Sequence, residues 1–246
     1  MSGKSKVMIS TKKHIPNLIT LLNLFCGCVA LVYASKDQFE MAFLFVCLGI
    51  FLDFFDGFFA RLFNVSSPLG LQLDSLADMV TSGVVPGYVM FSMLQGAEGA
   101  DQNWIFLPYL GFIITLGSCY RLAFFNIDTR QTDSFIGLPT PANALFIMSL
   151  AVILEKDPSL FALEILINPY ILLAVTVFSA FILNAELPLF SLKVKDYAFQ
   201  KNIARIILLV ISSLLVGFFG YSGIPFVIIF YILLSVIMNR RQKRLD

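Results

Sequence analysis

Charged side chains are scarce in this sequence. Only 13% of its 246 residues are Asp, Glu, Lys or Arg, against about a quarter in an average soluble domain. A soluble domain of this length would leave about a quarter of its unfolded-chain surface exposed and in need of a polar coat, and 17 basic and 16 acidic side chains are too few to supply it. Soluble, disordered and nucleic-acid-binding classes are therefore excluded. Histidine is nearly absent, with His14 alone before a helix start, where an interfacial residue is the simplest reading. Cysteine is limited to Cys26, Cys28, Cys47 and Cys119, all in apolar stretches and without zinc-site spacing to a histidine. Buried free thiols are expected rather than a disulfide framework. No small-residue cleavage site follows a short apolar core, so no removable signal peptide is expected.

What is abundant is apolar sequence. Hydrophobic residues make up 58% of the chain, and long runs recur from Leu18 almost to the C-terminus. Stretches of about 17–25 apolar residues cross a bilayer as helices. The expected class is an all-α polytopic membrane bundle of about eight spans: 15–34, 39–63, 69–94, 104–125, 141–154, 168–183, 203–220 and 224–238. The third span is the least regular, because its first turns are polar. In this layout 15 of the 17 Lys and Arg residues fall on one side, leaving Lys36 and Lys156 on the other. The positive-inside rule then places both termini in the cytoplasm, at the cell membrane. A six-span layout would blur that split. No repeat is visible, and the short loops leave no room for a second domain. Residues 1–246 are expected to form one integral membrane catalytic domain, with a basic cytoplasmic N-terminus (1–14) and a basic tail (240–246) that meets anionic lipid headgroups. Trp104 and several tyrosines fit interfacial anchoring.

Within the apolar background stand four carboxylates. Asp53 and Asp56 are spaced i, i+3, and Asp74 and Asp78 i, i+4, so each pair shares one helix face. The segment 64–68, Asn-Val-Ser-Ser-Pro, reads as a turn between them. The two helices thus form an antiparallel hairpin whose acidic faces can meet. Each carboxylate inside a membrane costs about 2.5–3.5 kcal/mol, so together they must face a polar cavity and need cations. Oxygen-only ligands favour Mg²⁺ or Mn²⁺ over zinc, and a close metal pair suits phosphoryl transfer. Gly57, Ala60 and Gly70 remove bulk beside the aspartates, which lets a helix or a phosphate approach the backbone. Arg61 follows at the cytoplasmic end, able to meet a phosphate or a carboxylate. An ion-pair network or a cation pathway is the plainer alternative.

The full pattern, D-x2-D-G-x2-A-R-x8-G-x3-D-x3-D over residues 53–78, resembles the signature of the CDP-alcohol phosphotransferase family of membrane enzymes at every fixed position. The resemblance implies metal ions held by Asp53, Asp56 and Asp74. It implies that Asp78 deprotonates the acceptor alcohol and also touches a metal. The CDP group of the donor would lie over Gly57, Ala60 and Gly70, and a homodimer is implied. The stretches 15–27, 120–126, 135–142 and 187–193 are similar to the branch of that family that transfers to L-serine, with CDP-diacylglycerol as donor. Phe124 and Ala185-Glu186 depart from the more basic residues common there. With one histidine, the chain cannot supply the paired H-x-K-x4-D motifs of the unrelated phosphohistidine route to the same product.

Asn17, Thr20 and Asn23, at i, i+3 spacing in the first span, either reach the nucleotide or bond to neighbouring helices; the first is the expectation. A zwitterionic acceptor needs a cation for its carboxylate, and Arg121 is the candidate, with Asn126 and Arg130 close by in sequence. Anchoring at the membrane surface is the alternative for both arginines. A sister enzyme using glycerol 3-phosphate or inositol phosphate would want more basic residues near the site, and a cation transporter would use the aspartates without turnover.

Overall fold

The structure, a computed structural model, describes residues 2–65, 67–97, 105–128, 134–156, 159–190 and 199–242. It is mostly helical. In chain order come α1 (Ser2–Ala34), α2 (Phe39–Leu62), α3 (Pro68–Asp78), a π-helical turn (Met79–Val84) and α4 (Val85–Gln95). A 3₁₀ turn (Pro108–Phe112) then leads into α5 (Ile113–Phe125), followed by β1 (Ser134–Ile136), α6 (Thr140–Lys156), α7 (Leu160–Leu166) and α8 (Pro169–Asn184). β2 (Pro188–Phe190), α9 (Phe199–Phe219) and α10 (Gly223–Gln242) complete the order.

A helix stands at each of the eight expected stretches, with altered boundaries. The first differs most: α1 runs unbroken from Ser2 with Pro16 inside it, rather than starting near Ile15. The third is α3, the π turn and α4 in series. Among the described residues, four stretches are long and apolar enough to cross a membrane: His14–Ala34, Phe39–Leu62, Pro108–Phe125 and Asn202–Asn239, the last holding both α9 and α10. The surface suits a lipid solvent. Leu18, Phe25, Phe51, Leu116, Phe181 and Phe218 are exposed, whereas Thr20, Asn23, Asp56 and Asp78 are buried. An exposed apolar belt around buried polar groups inverts the soluble pattern.

Local chemistry sets the helix ends. Ser67 caps α3, its Oγ accepting from the Gly70 N–H at 3.0 Å with Pro68 in the first turn. Asn64, at φ 51°, supplies the left-handed residue that turns the chain back from α2. α6 lies at the centre: Ala144, Ile147, Met148, Ala151 and Val152 have no exposure, and they join α1, α2 and α4 in one apolar cluster. At the end remote from the aspartates, Lys156 Nζ lies 2.5 Å from Glu40 Oε2. Tyr221 OH donates to Glu40 Oε1 at 3.1 Å, and the Glu40 N–H donates to Glu155 at 2.8 Å. This clasp joins the start of α2, the end of α6 and the α9–α10 turn, and the Glu40 carboxylate holds the Lys156 ammonium above its ordinary pKa.

Two features were absent from the sequence expectation. α7 is a short helix capped by Ser159. β1 and β2 pair antiparallel with Phe135 opposite Leu189, tying the α5–α6 connection to the segment after α8.

Close packing of the α5 approach yields one prediction. A Cβ on Gly111 would lie 2.5 Å from Phe91 N and 2.9 Å from Met90 C, both backbone atoms that cannot yield cheaply, whereas Gly217 has nothing within 4 Å. Gly111→Ala is expected to lose about 2–3 kcal/mol by overpacking, and Gly217→Ala to be neutral or slightly stabilising in its helix. Thermal unfolding of the two variants in detergent compares them directly.

Candidate active site

The α2–α3 hairpin brings the carboxylates together. One oxygen each from Asp53, Asp56 and Asp74 lies within 4.8 Å of the other two. Asp56 is buried and Thr20 Oγ1 lies 2.5 Å from its Oδ2; the same hydroxyl also lies 3.0 Å from the Pro16 carbonyl, one turn back on α1. Asp78 lies one helical turn beyond Asp74 and is 9% exposed. Asn23 Nδ2 donates to its Oδ1 at 3.1 Å.

Two cavities meet at these carboxylates. The larger, 360 Å³, is lined by all four aspartates and by Phe54, Gly57, Arg61 and Ser75 on the hairpin; Arg121, Leu122, Phe125, Pro139, Thr140 and Pro141 form the opposite wall. The smaller, 180 Å³, is lined by Pro16, Asn17 and Thr20 of α1 with Asp56, Gly57, Ala60, Val65, Ser67, Gly70, Leu71 and Asp74. Asp56, Gly57 and Asp74 therefore form a partition between a chamber and a groove. Arg61 folds back over Gly57, for a Cβ there would come 3.5 Å from its terminal nitrogen. Gly70 has Asn17 Oδ1 and Ser67 Oγ each 3.2 Å from where its Cβ would be. Small residues keep the groove open, since larger ones at 57 and 70 would fill it.

The residues singled out from sequence divide accordingly. Asn17, Thr20, Gly57, Ala60 and Gly70 line the groove, and Arg61 lines the chamber. Asn23 lines neither: it has no exposure and its amide is committed to Asp78 and Thr81, so it turns inward rather than toward a nucleotide. Arg121 is buried in the chamber wall. Its Nε donates to the Leu138 carbonyl at 2.5 Å and an Nη to the Gly137 carbonyl at 3.3 Å. Gly137 has φ 77°, and a Cβ there would collide with the Leu183 carbonyl. That glycine turn delivers Pro139, Thr140 and Pro141 to the chamber, and the guanidinium holds it. Asn126 stands behind the wall, its Nδ2 donating to Ser75 Oγ at 2.9 Å. Arg130 lies outside the described residues.

Sequence reasoning did not foresee Ser75, Leu122, Phe125 or Thr81. Ser75 had a usable signal, since it follows Asp74 directly on the acidic helix. The others depend on which faces of α1, α5 and the π turn pack inward.

The donor set of the triad is all carboxylate oxygen and close, with Asp56 buried and Asp53 and Asp74 half-buried, which fits a hard divalent cation such as Mg²⁺ or Mn²⁺. Among the described residues no histidine or cysteine lines either cavity, so nothing there favours zinc.

A family model described as CDP-alcohol phosphatidyltransferase matches residues 13–182. Curated relatives agree with it. A Bacillus subtilis protein named CDP-diacylglycerol--serine O-phosphatidyltransferase is 38% identical over 132 residues, which cover 52% of this chain and 70% of that one. A Helicobacter pylori protein of the same name is 38% identical over 143 residues, covering 57% of this chain and 58% of that one. A Saccharomyces cerevisiae protein of that name is 33% identical over 159 residues, 58% of this chain and 55% of that one. The matched stretch thus spans little more than half the length of the Helicobacter and yeast relatives.

Proposed function

The chain belongs to the CDP-alcohol phosphatidyltransferase family, and on that premise we propose that it transfers the phosphatidyl group of CDP-diacylglycerol to the hydroxyl of L-serine, giving phosphatidylserine and CMP. The observation that carries this reading is the triad of converging carboxylates set between a narrow groove and a chamber. The groove suits the nucleotide: it is lined by Asn17, Thr20, Gly57, Ala60 and Gly70, where backbone is accessible to phosphate. The chamber suits the lipid-linked phosphate and the acceptor. Its apolar lining includes Phe54, Leu122 and Phe125, all on strongly apolar helices, which lets acyl chains remain in lipid.

Asp53, Asp56 and Asp74, with Asp78 adjoining them, would hold one or two Mg²⁺ or Mn²⁺ ions. Such ions supply neutralisation of charge on the pyrophosphate and on the departing CMP. Asp78 faces the chamber and takes the proton as the serine oxygen bonds to phosphorus. The phosphorus–oxygen bond to CMP breaks in the same displacement, so inversion at phosphorus is expected and retention would overturn it. Thr20 fixes the orientation of the Asp56 carboxylate on the groove side. Arg121 offers positive charge in the chamber wall for the serine carboxylate. Among the described residues only Arg61 and Arg121 line the chamber as cations, which suits a zwitterionic acceptor better than a phosphorylated one.

The charge asymmetry supports eight crossings and a cytoplasmic chamber beside Arg61 at the end of α2, and the short loops support one catalytic domain. The family resemblance supports a homodimer, and the charge asymmetry supports its placement in the cell membrane.

The test is CMP release by protein purified in detergent with CDP-diacylglycerol and Mg²⁺ or Mn²⁺, with and without L-serine. Serine-dependent release supports the assignment. Release only with another alcohol overturns the acceptor, and cation flux in liposomes without turnover overturns the enzyme. Arg121→Lys sharpens the acceptor question. Lysine keeps the charge but cannot reproduce the fork that holds residues 137–138. The serine KM is expected to rise about tenfold, equivalent to about 1.4 kcal/mol, with little change in the donor KM. An unchanged serine KM would remove Arg121 from the acceptor wall.

A further inference from the structure

Behind the chamber, on the side away from substrate, Asp78 is backed by a buried polar relay that neither cavity reaches. Asn23 on α1 donates from Nδ2 to Asp78 Oδ1 at 3.1 Å. Thr81 Oγ1 in turn lies 2.9 Å from Asn23 Oδ1 and 3.2 Å from the Asn23 carbonyl, both acceptors. Asn23 and Thr81 have no exposure at all.

The polarity of this relay is determined. Both acceptors near Thr81 belong to Asn23, so its hydroxyl donates toward that residue. An amide oxygen that accepts from Thr81 must leave its NH₂ pointing at Asp78. The reversed amide would set a carbonyl oxygen against a carboxylate oxygen. The Asp78 carboxylate thus fixes the amide orientation, and Thr81 supports it by donating to the amide oxygen.

The surrounding sequence makes room for this arrangement. A Cβ on Gly27 would fall 2.5 Å from Thr81 Oγ1. A Cβ on Gly49 would fall 2.7 Å from Asn23 Oδ1 and 2.8 Å from Thr81 Cγ2. Two glycines from two different helices therefore clear space at the same two side chains. Thr81 also sits in the π-helical turn that begins directly after Asp78, a rare geometry that recurs at functional sites.

We propose that Asn23 and Thr81 are positioning residues for Asp78: the relay ties down Oδ1 from behind and presents Oδ2 to the acceptor hydroxyl. The inference rests on the reading of Asp78 as the proton acceptor. Neither residue touches substrate. Their effect belongs in turnover rather than in donor or serine affinity.

The test compares Thr81→Val, Thr81→Ser and Gly49→Ala with the unaltered protein, and includes Asp78→Asn as the reference. Valine keeps the shape of threonine and removes the hydroxyl. Thr81→Val is expected to lower kcat about tenfold, in the range seen when groups that orient a catalytic ligand are lost. KM for serine and CDP-diacylglycerol and the melting temperature should stay near those of the unaltered protein. Thr81→Ser restores the hydroxyl and should restore kcat. Gly49→Ala presses on Asn23 Oδ1 and should reproduce the loss, and it decides the matter alone if Thr81→Val does not fold. A kcat in Thr81→Val within twofold of the unaltered protein overturns the proposal. So does a serine variant as impaired as the valine variant, or a loss confined to donor KM. Near-normal turnover in Asp78→Asn would instead overturn the role of Asp78 itself.

Discussion

Asp78→Asn is expected to reduce serine-dependent CMP release by about three orders of magnitude while leaving CDP-diacylglycerol binding nearly intact. General-base catalysis contributes about 10²–10⁴-fold, and an amide cannot take the serine proton. The fold has reason to survive the change. An amide is isosteric with a carboxylate, and its oxygen can still accept from Asn23 Nδ2 in the interior where Asp78 Oδ1 now does. Asp78 is neither a member of the triad of Asp53, Asp56 and Asp74 nor part of the groove wall. Equilibrium binding of the donor, measured beside single-turnover CMP release, separates the two roles that Asp78 can have. Lost turnover with retained binding fits proton transfer. Loss of donor binding in folded protein would make Asp78 chiefly a metal ligand, and the proton would then need another acceptor.

The part of the site legible in sequence is the part built by local spacing. Intervals of three and four residues set the two aspartate pairs on their helix faces, and Asn64, Ser67 and Pro68 specify the turn that opposes them. The small residues at 57, 60 and 70 announced a groove for the same reason. Asn23 shows where such reasoning stops. Asn17, Thr20 and Asn23 repeat at one spacing on one face of α1, so periodicity alone assigns them one environment. What separates them is depth: Asn17 and Thr20 meet the groove, whereas Asn23 is roofed by α2 at Gly49 and by Thr81 of the π turn. A π turn leaves no periodic signature in six residues. Arg121 shows a second limit. Its charge was visible, but its bonds to Gly137 and Leu138 depend on the α5–α6 connection returning beneath it. The β1–β2 pairing that helps fix that connection joins three-residue strands far apart in sequence. Strands so short carry no alternation to detect.

The same crowding of carboxylates that makes a metal site must weaken the protein when no metal is bound, so Asp53→Asn is expected to separate stability from function. Three carboxylate oxygens within 4.8 Å of one another, one of them buried and two half-buried, repel when ionised. Removing one charge without removing its bulk should stabilise the metal-free protein by about 2 kcal/mol, since the amide can also donate to a neighbouring carboxylate. Catalysis should fall by about 10³-fold or more, in line with the several kcal/mol of transition-state stabilisation that a bound metal provides. The two effects share one cause, which thermal unfolding with and without Mg²⁺ can expose. Ligand linkage stabilises the unaltered protein in proportion to metal affinity, so its melting temperature should climb with Mg²⁺ while that of Asp53→Asn starts higher and climbs less. Lower stability in metal-free Asp53→Asn would mean that the aspartates satisfy one another as a structural network. That outcome would favour the ion-pair alternative over a metal centre, because a cluster built to receive cations should be at its least stable when they are withheld.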